Sequence, residues 1–113
     1  MTFITLEQLQ TKLNENPKLI LVEALPEEYY ANSHIPGAIN IPKDQVDGLA
    51  PRLLKDKNAE IVVYCANAEC QASTEVANRL VELGYSNVSD FGAGKKGWLE
   101  AGLPVEKGVP AAV

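Results

Sequence analysis

The chain is sparing with the residues that build many functional sites. It has two cysteines, one histidine and one tryptophan in 113 residues. Two cysteines are too few for a disulfide scaffold, and with a single histidine they are too few for a structural zinc site. Free thiols in a reducing compartment are the expected state. Cations are short as well: ten Lys and Arg stand against fifteen Asp and Glu, a formal charge of −5. That balance argues against nucleic acid, whose phosphates need a basic face. A small anionic substrate stays open, because the field at one loop can oppose the net charge. No apolar run approaches the length of a bilayer span, so no membrane partner is expected. No basic-then-apolar signal segment opens the chain, and the expected location is cytoplasmic.

What is present reads as a folded domain. Hydrophobic residues make up 46% and charged residues 22%, enough apolar material for one core without the composition of disorder. The expectation is one α/β domain over residues 1–113, with about 107–113 as a loose tail. Phe3-Ile4 is a brief edge strand, and Thr5 with Gln8 has the spacing of a capping box. Leu6, Leu9 and Leu13 follow at helical spacing, and Asn16-Pro17 closes that helix. Leu19 to Val22 is a buried strand leading to Glu23. Pro26 opens a helical turn, and Ile39 and Ile41 alternate as in a short strand. Val46, Leu49, Leu53 and Leu54 have helical spacing, but Pro51 predicts a broken segment, with its second piece starting at the proline. Val76, Ala77, Leu80, Val81 and Leu83 form one apolar stripe, with Glu75 and Arg79 as an outward i, i+4 pair and Gly84 as the stop. Val88 and Phe91 flank a last strand. Lys95 to Ala101 is a short helix after the turn Gly92-Ala93-Gly94. Strands alternating with helices predict a mainly parallel sheet covered on both faces.

One stretch carries chemistry. Ile61-Val62-Val63-Tyr64 is a buried strand that stops at Cys65. A short polar loop follows, and a helix begins at about Ser73. A thiol at the carboxyl end of a buried strand, facing a helix start, sits where open α/β sheets bind ligands. The helix amino end supplies partial positive charge and free N–H groups for an anion or thiolate.

The ordered motifs resemble a known family. Leu21-Val22-Glu23, then Glu28-Tyr29-Tyr30 and His34-Ile35-Pro36-Gly37-Ala38-Ile39-Asn40-Ile41-Pro42, resemble the first half of a rhodanese domain. Val62-Val63-Tyr64-Cys65 resembles its active-site strand. Leu83-Gly84-Tyr85-Ser86-Asn87-Val88, Gly94 to Trp98 and Ala101-Gly102-Leu103-Pro104-Val105 resemble its second half. The resemblance implies a rhodanese fold, a central parallel sheet flanked by helices. It also implies sulfur transfer through a persulfide on Cys65, from a small donor such as thiosulfate or a persulfide to cyanide or a thiol acceptor, an acceptor protein included. No cofactor and no metal are implied.

Departures from the family pattern accompany it. Glu23-Ala24-Leu25 stands where Asp-Val-Arg is usual, and Tyr29 stands where an acid would pair with that Arg. Both ends of that ion pair are replaced together, so neither charge is left stranded. After Cys65 the loop Ala66-Asn67-Ala68-Glu69-Cys70-Gln71-Ala72 carries no cation, where rhodanese loops often hold Arg. The side chain expected to grip thiosulfate is therefore absent. Gln71 occupies the position of the arginine in a Cys-x5-Arg phosphatase loop, which argues against phosphatase or arsenate reductase chemistry.

Each candidate has a plainer alternative. Cys65 is either a reactive thiol or a buried structural cysteine, and strand-end position with family match favours the first. At a reference pKa of about 8.5 only ~3% would be thiolate at neutral pH; loop amides and the helix would raise that fraction, and backbone N–H groups from Ala66 to Ala72 would cradle the charged sulfur. Cys70 is either a resolving thiol or a passive loop residue. Lys95 and Lys96 either replace the missing loop cation or form an ordinary solvated pair, the more common case. Ser73 reads as the helix cap before a catalytic hydroxyl. Glu23 reads as an exposed strand-end carboxylate, His34 as a hydrogen-bonded structural residue and Trp98 as core. The competing function is a catalytically weak binding or redox-sensing module built on Cys65 and Cys70.

Overall fold

The structure, a computed structural model, describes residues 1–109. Five strands, β1 Thr2–Ile4, β2 Ile20–Glu23, β3 Ile39–Asn40, β4 Ile61–Tyr64 and β5 Val88–Phe91, form one sheet in the order β1-β5-β4-β2-β3. Every pairing is parallel. The helices are α1 Leu6–Glu15, α2 Glu27–Asn32, α3 Val46–Leu53, α4 Ala72–Glu82 and α5 Gly94–Glu100. No helix among the described residues is long and apolar enough to cross a membrane.

The period of two in β4 sorts the core. Val62 and Tyr64 point to one face with Leu9, Tyr30, Phe91 and Trp98, under α1 and α5. Ile61, Val63 and Cys65 point to the other with Ala50, Val76 and Leu80, under α3 and α4. All four β4 residues are buried, because central parallel strands are covered on both sides. The Thr5 hydroxyl accepts from the Gln8 N–H while the Gln8 amide oxygen accepts from the Thr5 N–H, closing the anticipated capping box on α1.

Three expectations of local structure are corrected. Helix α3 is not broken at Pro51, which lies inside it. The proline removes one N–H, but Val46 and Ala50 are buried against the sheet and the Leu54 N–H still closes on the Ala50 carbonyl. Tyr85 also donates its hydroxyl to backbone carbonyls at Ala50 and Leu54. Packing of the apolar face outweighs the lost bond. Ser73 does not cap α4; it is buried one residue inside the helix, and Gln71 takes the cap position without a side-chain bond. Glu75 and Arg79 do not pair: Arg79 grips Asp47 of α3 with two bonds of 2.8 Å, and Glu75 lies 3.5 Å from Lys43. The arginine fork prefers bidentate geometry across the helix pair to a single bond along one helix, and it holds the Asp47 carboxyl below its ordinary range.

The end of the chain is fastened at first. Glu106 pairs with His34 through two backbone bonds of 2.9 Å, and the Gly108 N–H donates to the Ala31 carbonyl at 2.7 Å. Within the expected tail, residues 107–109 are exposed and Gly108 is bonded to α2, and 110–113 fall outside the described residues. His34 is buried, stacks on Tyr30 at 3.9 Å between centroids and places Nδ1 2.8 Å from the Tyr30 carbonyl.

Candidate functional site

Cys65 leaves the carboxyl end of the central strand with 1% of its surface exposed. The next residues cannot continue the sheet, because α5 takes their carbonyls. The Lys95 N–H donates to Cys65 O at 2.8 Å and the Lys96 N–H to Ala66 O at 2.9 Å. Gly94 makes that approach possible. It has φ +66°, and a Cβ placed there would lie 2.6 Å from Cys65 O and 2.9 Å from Asn67 N. Gly94→Ala is therefore expected to displace the loop and to lower stability by about 2–4 kcal/mol. Thermal unfolding checks the loss; a variant as stable as the parent would show that the loop yields freely.

Asn67 then folds the loop back. Its Oδ1 accepts from the backbone N–H groups of Glu69 and Cys70, each at 3.1 Å. This is an Asx turn, and the Cys70 N–H also donates to the Asn67 carbonyl at 3.2 Å. The turn returns Cys70 to a Cα–Cα distance of 6.4 Å from Cys65, and the two sulfurs are bonded to each other. Ala68, Glu69 and Gln71 are exposed, whereas Ala66, Asn67, Cys70 and Ala72 are half-buried. The first helical bond of α4 runs from the Glu75 N–H to Gln71 O, so the N–H groups of Ala72, Ser73 and Thr74 end the helix without intrahelical partners.

Beneath the loop lies a charge pair that replaces the expected exposed carboxylate. Glu23 is fully buried, not exposed. Its Oε1 accepts from the Tyr64 hydroxyl at 2.8 Å and its Oε2 from the Lys95 ammonium at 3.1 Å. Lys95 is likewise buried and donates to the Tyr29 carbonyl at 3.1 Å. Burial pushes the Glu23 carboxyl above its ordinary range, and the Tyr64 hydroxyl and the Lys95 charge pull it back in part. Burial, with the Glu23 charge beside it, also pushes the Tyr64 phenol far up. Lys95 is thus not a solvated charge: its ammonium is paired with Glu23, although the residue lines the cleft beside the loop, and Lys96 is the exposed member of the pair. A cleft of about 410 Å³ opens beside the loop between α2 and α5, lined by Leu25, Tyr29, Ala66, Lys96 and Leu99 among others.

One buried acid escaped sequence reading. Asp90 on β5 pairs in register with Val63 and so shares the sheet face of Cys65. Its Oδ2 accepts from the Thr74 hydroxyl at 2.7 Å, and its Oδ1 has no partner among the described residues. A lone acid between Val88 and Phe91 was the available signal.

The fold has counterparts in known proteins. Residues 5–101 match the rhodanese-like domain. The chain belongs to the rhodanese-like family. It is 37% identical over 81 residues to the thiosulfate sulfurtransferase PspE of Escherichia coli, covering 72% of each chain. It is 36% identical over 96 residues to the HTH-type transcriptional regulator Rv0324 of Mycobacterium tuberculosis, covering 85% of this chain but only 41% of the regulator. The crystal structure of the BH2092 protein from Bacillus halodurans superposes with a TM-score of 0.84 at 26% identity, over 94% of this chain and 77% of that one. The chain's relatives, a named thiosulfate sulfurtransferase among them, support sulfur transfer at the level of the family.

Proposed function

We propose that this rhodanese-like chain carries sulfane sulfur as a persulfide on Cys65. The observation that carries the reading is the position of Cys65, at the carboxyl end of the central strand and before the unpartnered N–H groups of α4. A thiolate there is favoured by those N–H groups and by the helix dipole. It attacks the outer sulfur of a donor. The donor S–S bond breaks, and sulfite or the donor's thiolate leaves with the electron pair. An acceptor thiolate or cyanide then attacks the outer sulfur of the persulfide and returns Cys65 as thiolate. Ala66 to Ser73 would supply the amides around the charged sulfur, and Lys96, which lines the adjacent cleft, an exposed cation. A cysteine that works this way needs a reducing compartment, the cytoplasm in this reading.

The donor class follows from charge. The loop holds Glu69 and no cation, and the Lys95 ammonium is committed to Glu23. The dianion thiosulfate therefore gains little local attraction, and a persulfide or polysulfide is the better donor. Thiocyanate formation with cyanide as acceptor tests this. The expected result is turnover with both donors and a kcat/KM about tenfold or more higher with polysulfide, the size of a lost charge contact. No thiocyanate from either donor would exclude the transferase reading. The Cys65–Cys70 bond favours a second reading, a redox-sensing module, which that negative result would promote.

A further inference from the structure

Cys70 offers the site a second activity. We infer that the chain is also a sulfide-releasing reductase, in which Cys70 resolves the Cys65 persulfide and a dithiol restores both thiols. The inference rests on the Cys65 persulfide reading and deepens it.

The geometry behind it is the loop itself. Asn67 accepts from two consecutive backbone N–H groups, the second of them that of Cys70, and so folds four residues back onto the end of β4. The Cα atoms of Cys65 and Cys70 stand 6.4 Å apart, inside the range that a disulfide spans without backbone movement. Cys70 Sγ can therefore reach Cys65 Sγ, the inner sulfur of a persulfide. In the disulfide-bonded form Cys65 is almost wholly covered while Cys70 is only half-buried, which makes Cys70 the more accessible sulfur.

The step balances. The Cys70 thiolate attacks Cys65 Sγ, the bond from Sγ to the outer sulfur breaks, and the outer sulfur leaves with the electron pair as hydrosulfide. That sulfur is reduced by two electrons, and the two cysteines are oxidised together to the disulfide seen in the structure. Regeneration needs a dithiol. Its first thiolate attacks the more accessible sulfur, Cys70 Sγ, and Cys65 leaves as thiolate toward the helix amino end. Its second thiol displaces Cys70 and closes a disulfide in the reductant. The sum converts one sulfane sulfur and one dithiol to hydrosulfide and a disulfide.

The test uses the reduced full chain at micromolar concentration, one equivalent of polysulfide and no added thiol. Wild type is expected to release about one equivalent of sulfide beyond that set free on loading, which Cys70→Ser also releases, and to finish as the intramolecular disulfide. Cys70→Ser is expected to keep its added sulfur roughly a hundredfold longer, since a tethered thiol acts at millimolar effective concentration and other molecules only at micromolar. Circular dichroism confirms that the variant is folded. A wild-type persulfide as durable as the variant's overturns this inference and leaves the Cys65 reading standing. No sulfur uptake by either protein overturns both. The point of attack is tested by treating the oxidised chain with glutathione and quenching with an alkylating agent. Glutathione on Cys70 and the alkyl group on Cys65 support it, and the reverse assignment overturns it.

Discussion

Cys65→Ser is expected to reduce thiocyanate formation by at least about a thousandfold, the scale on which removing a covalent nucleophile acts. A serine hydroxyl at the same place stays protonated at neutral pH and makes no persulfide. The fold should survive. The side chain is small, and a buried hydroxyl that finds no partner costs about 1–3 kcal/mol. Its neighbours Val63, Val76 and Ala77 keep their packing on the same sheet face. Rates for purified wild type and variant, with a thermal melt of each, separate the two effects. Activity within tenfold of wild type in a folded variant would move the nucleophile to Cys70, the other thiol of the chain.

Lys95→Met is expected to be the most damaging change to stability, about 3–5 kcal/mol at neutral pH. It leaves Glu23 buried with the Tyr64 hydroxyl as its remaining side-chain partner, and an uncompensated buried charge is among the costlier defects a core can hold. The pH dependence has a definite sign. Burial already raises the Glu23 carboxyl above its ordinary value, and the Lys95 charge is one of the groups holding it down. Without that charge the carboxyl rises further. A carboxyl raised in the folded state binds more protons folded than unfolded, so stability falls as pH increases through the window between the two values. The loss caused by Lys95→Met should therefore be greatest at neutral pH and shrink on acidification, as Glu23 protonates in both proteins. The double variant Glu23→Gln with Lys95→Met should recover most of the loss. Urea denaturation across a pH series measures all three, and a pH-independent loss would show that Glu23 is not ionised beside Lys95.

The same pair marks where sequence reading stops. The strands, the Thr5–Gln8 capping box and the thiol at the end of β4 were legible because each rests on local composition or a short period. The partnership of Glu23 with Lys95 joins residues far apart in sequence, and no local pattern encodes it. Only the strand order, with β2 beside β4 and α5 packed across the end of β4, brings them together. Arg79 differs from its i, i+4 pattern for a related reason: Glu75 is the partner visible in the sequence, whereas the better-placed Asp47 belongs to another helix. Pro51 does not break α3, because Val46 and Ala50 are held against the core, which local propensity does not encode. The nearness of Cys70 to Cys65 could be raised from the loop but not decided, since it depends on the turn that Asn67 makes.

Locating the transferred sulfur tests the central claim most directly. The reduced chain is incubated briefly with polysulfide, blocked by alkylation, digested without reductant and mapped by peptide mass. The account predicts one added sulfur on the peptide containing Cys65, removed by cyanide and prolonged by Cys70→Ser. Added sulfur confined to Cys70, or no cyanide-labile sulfur on either cysteine, would contradict it.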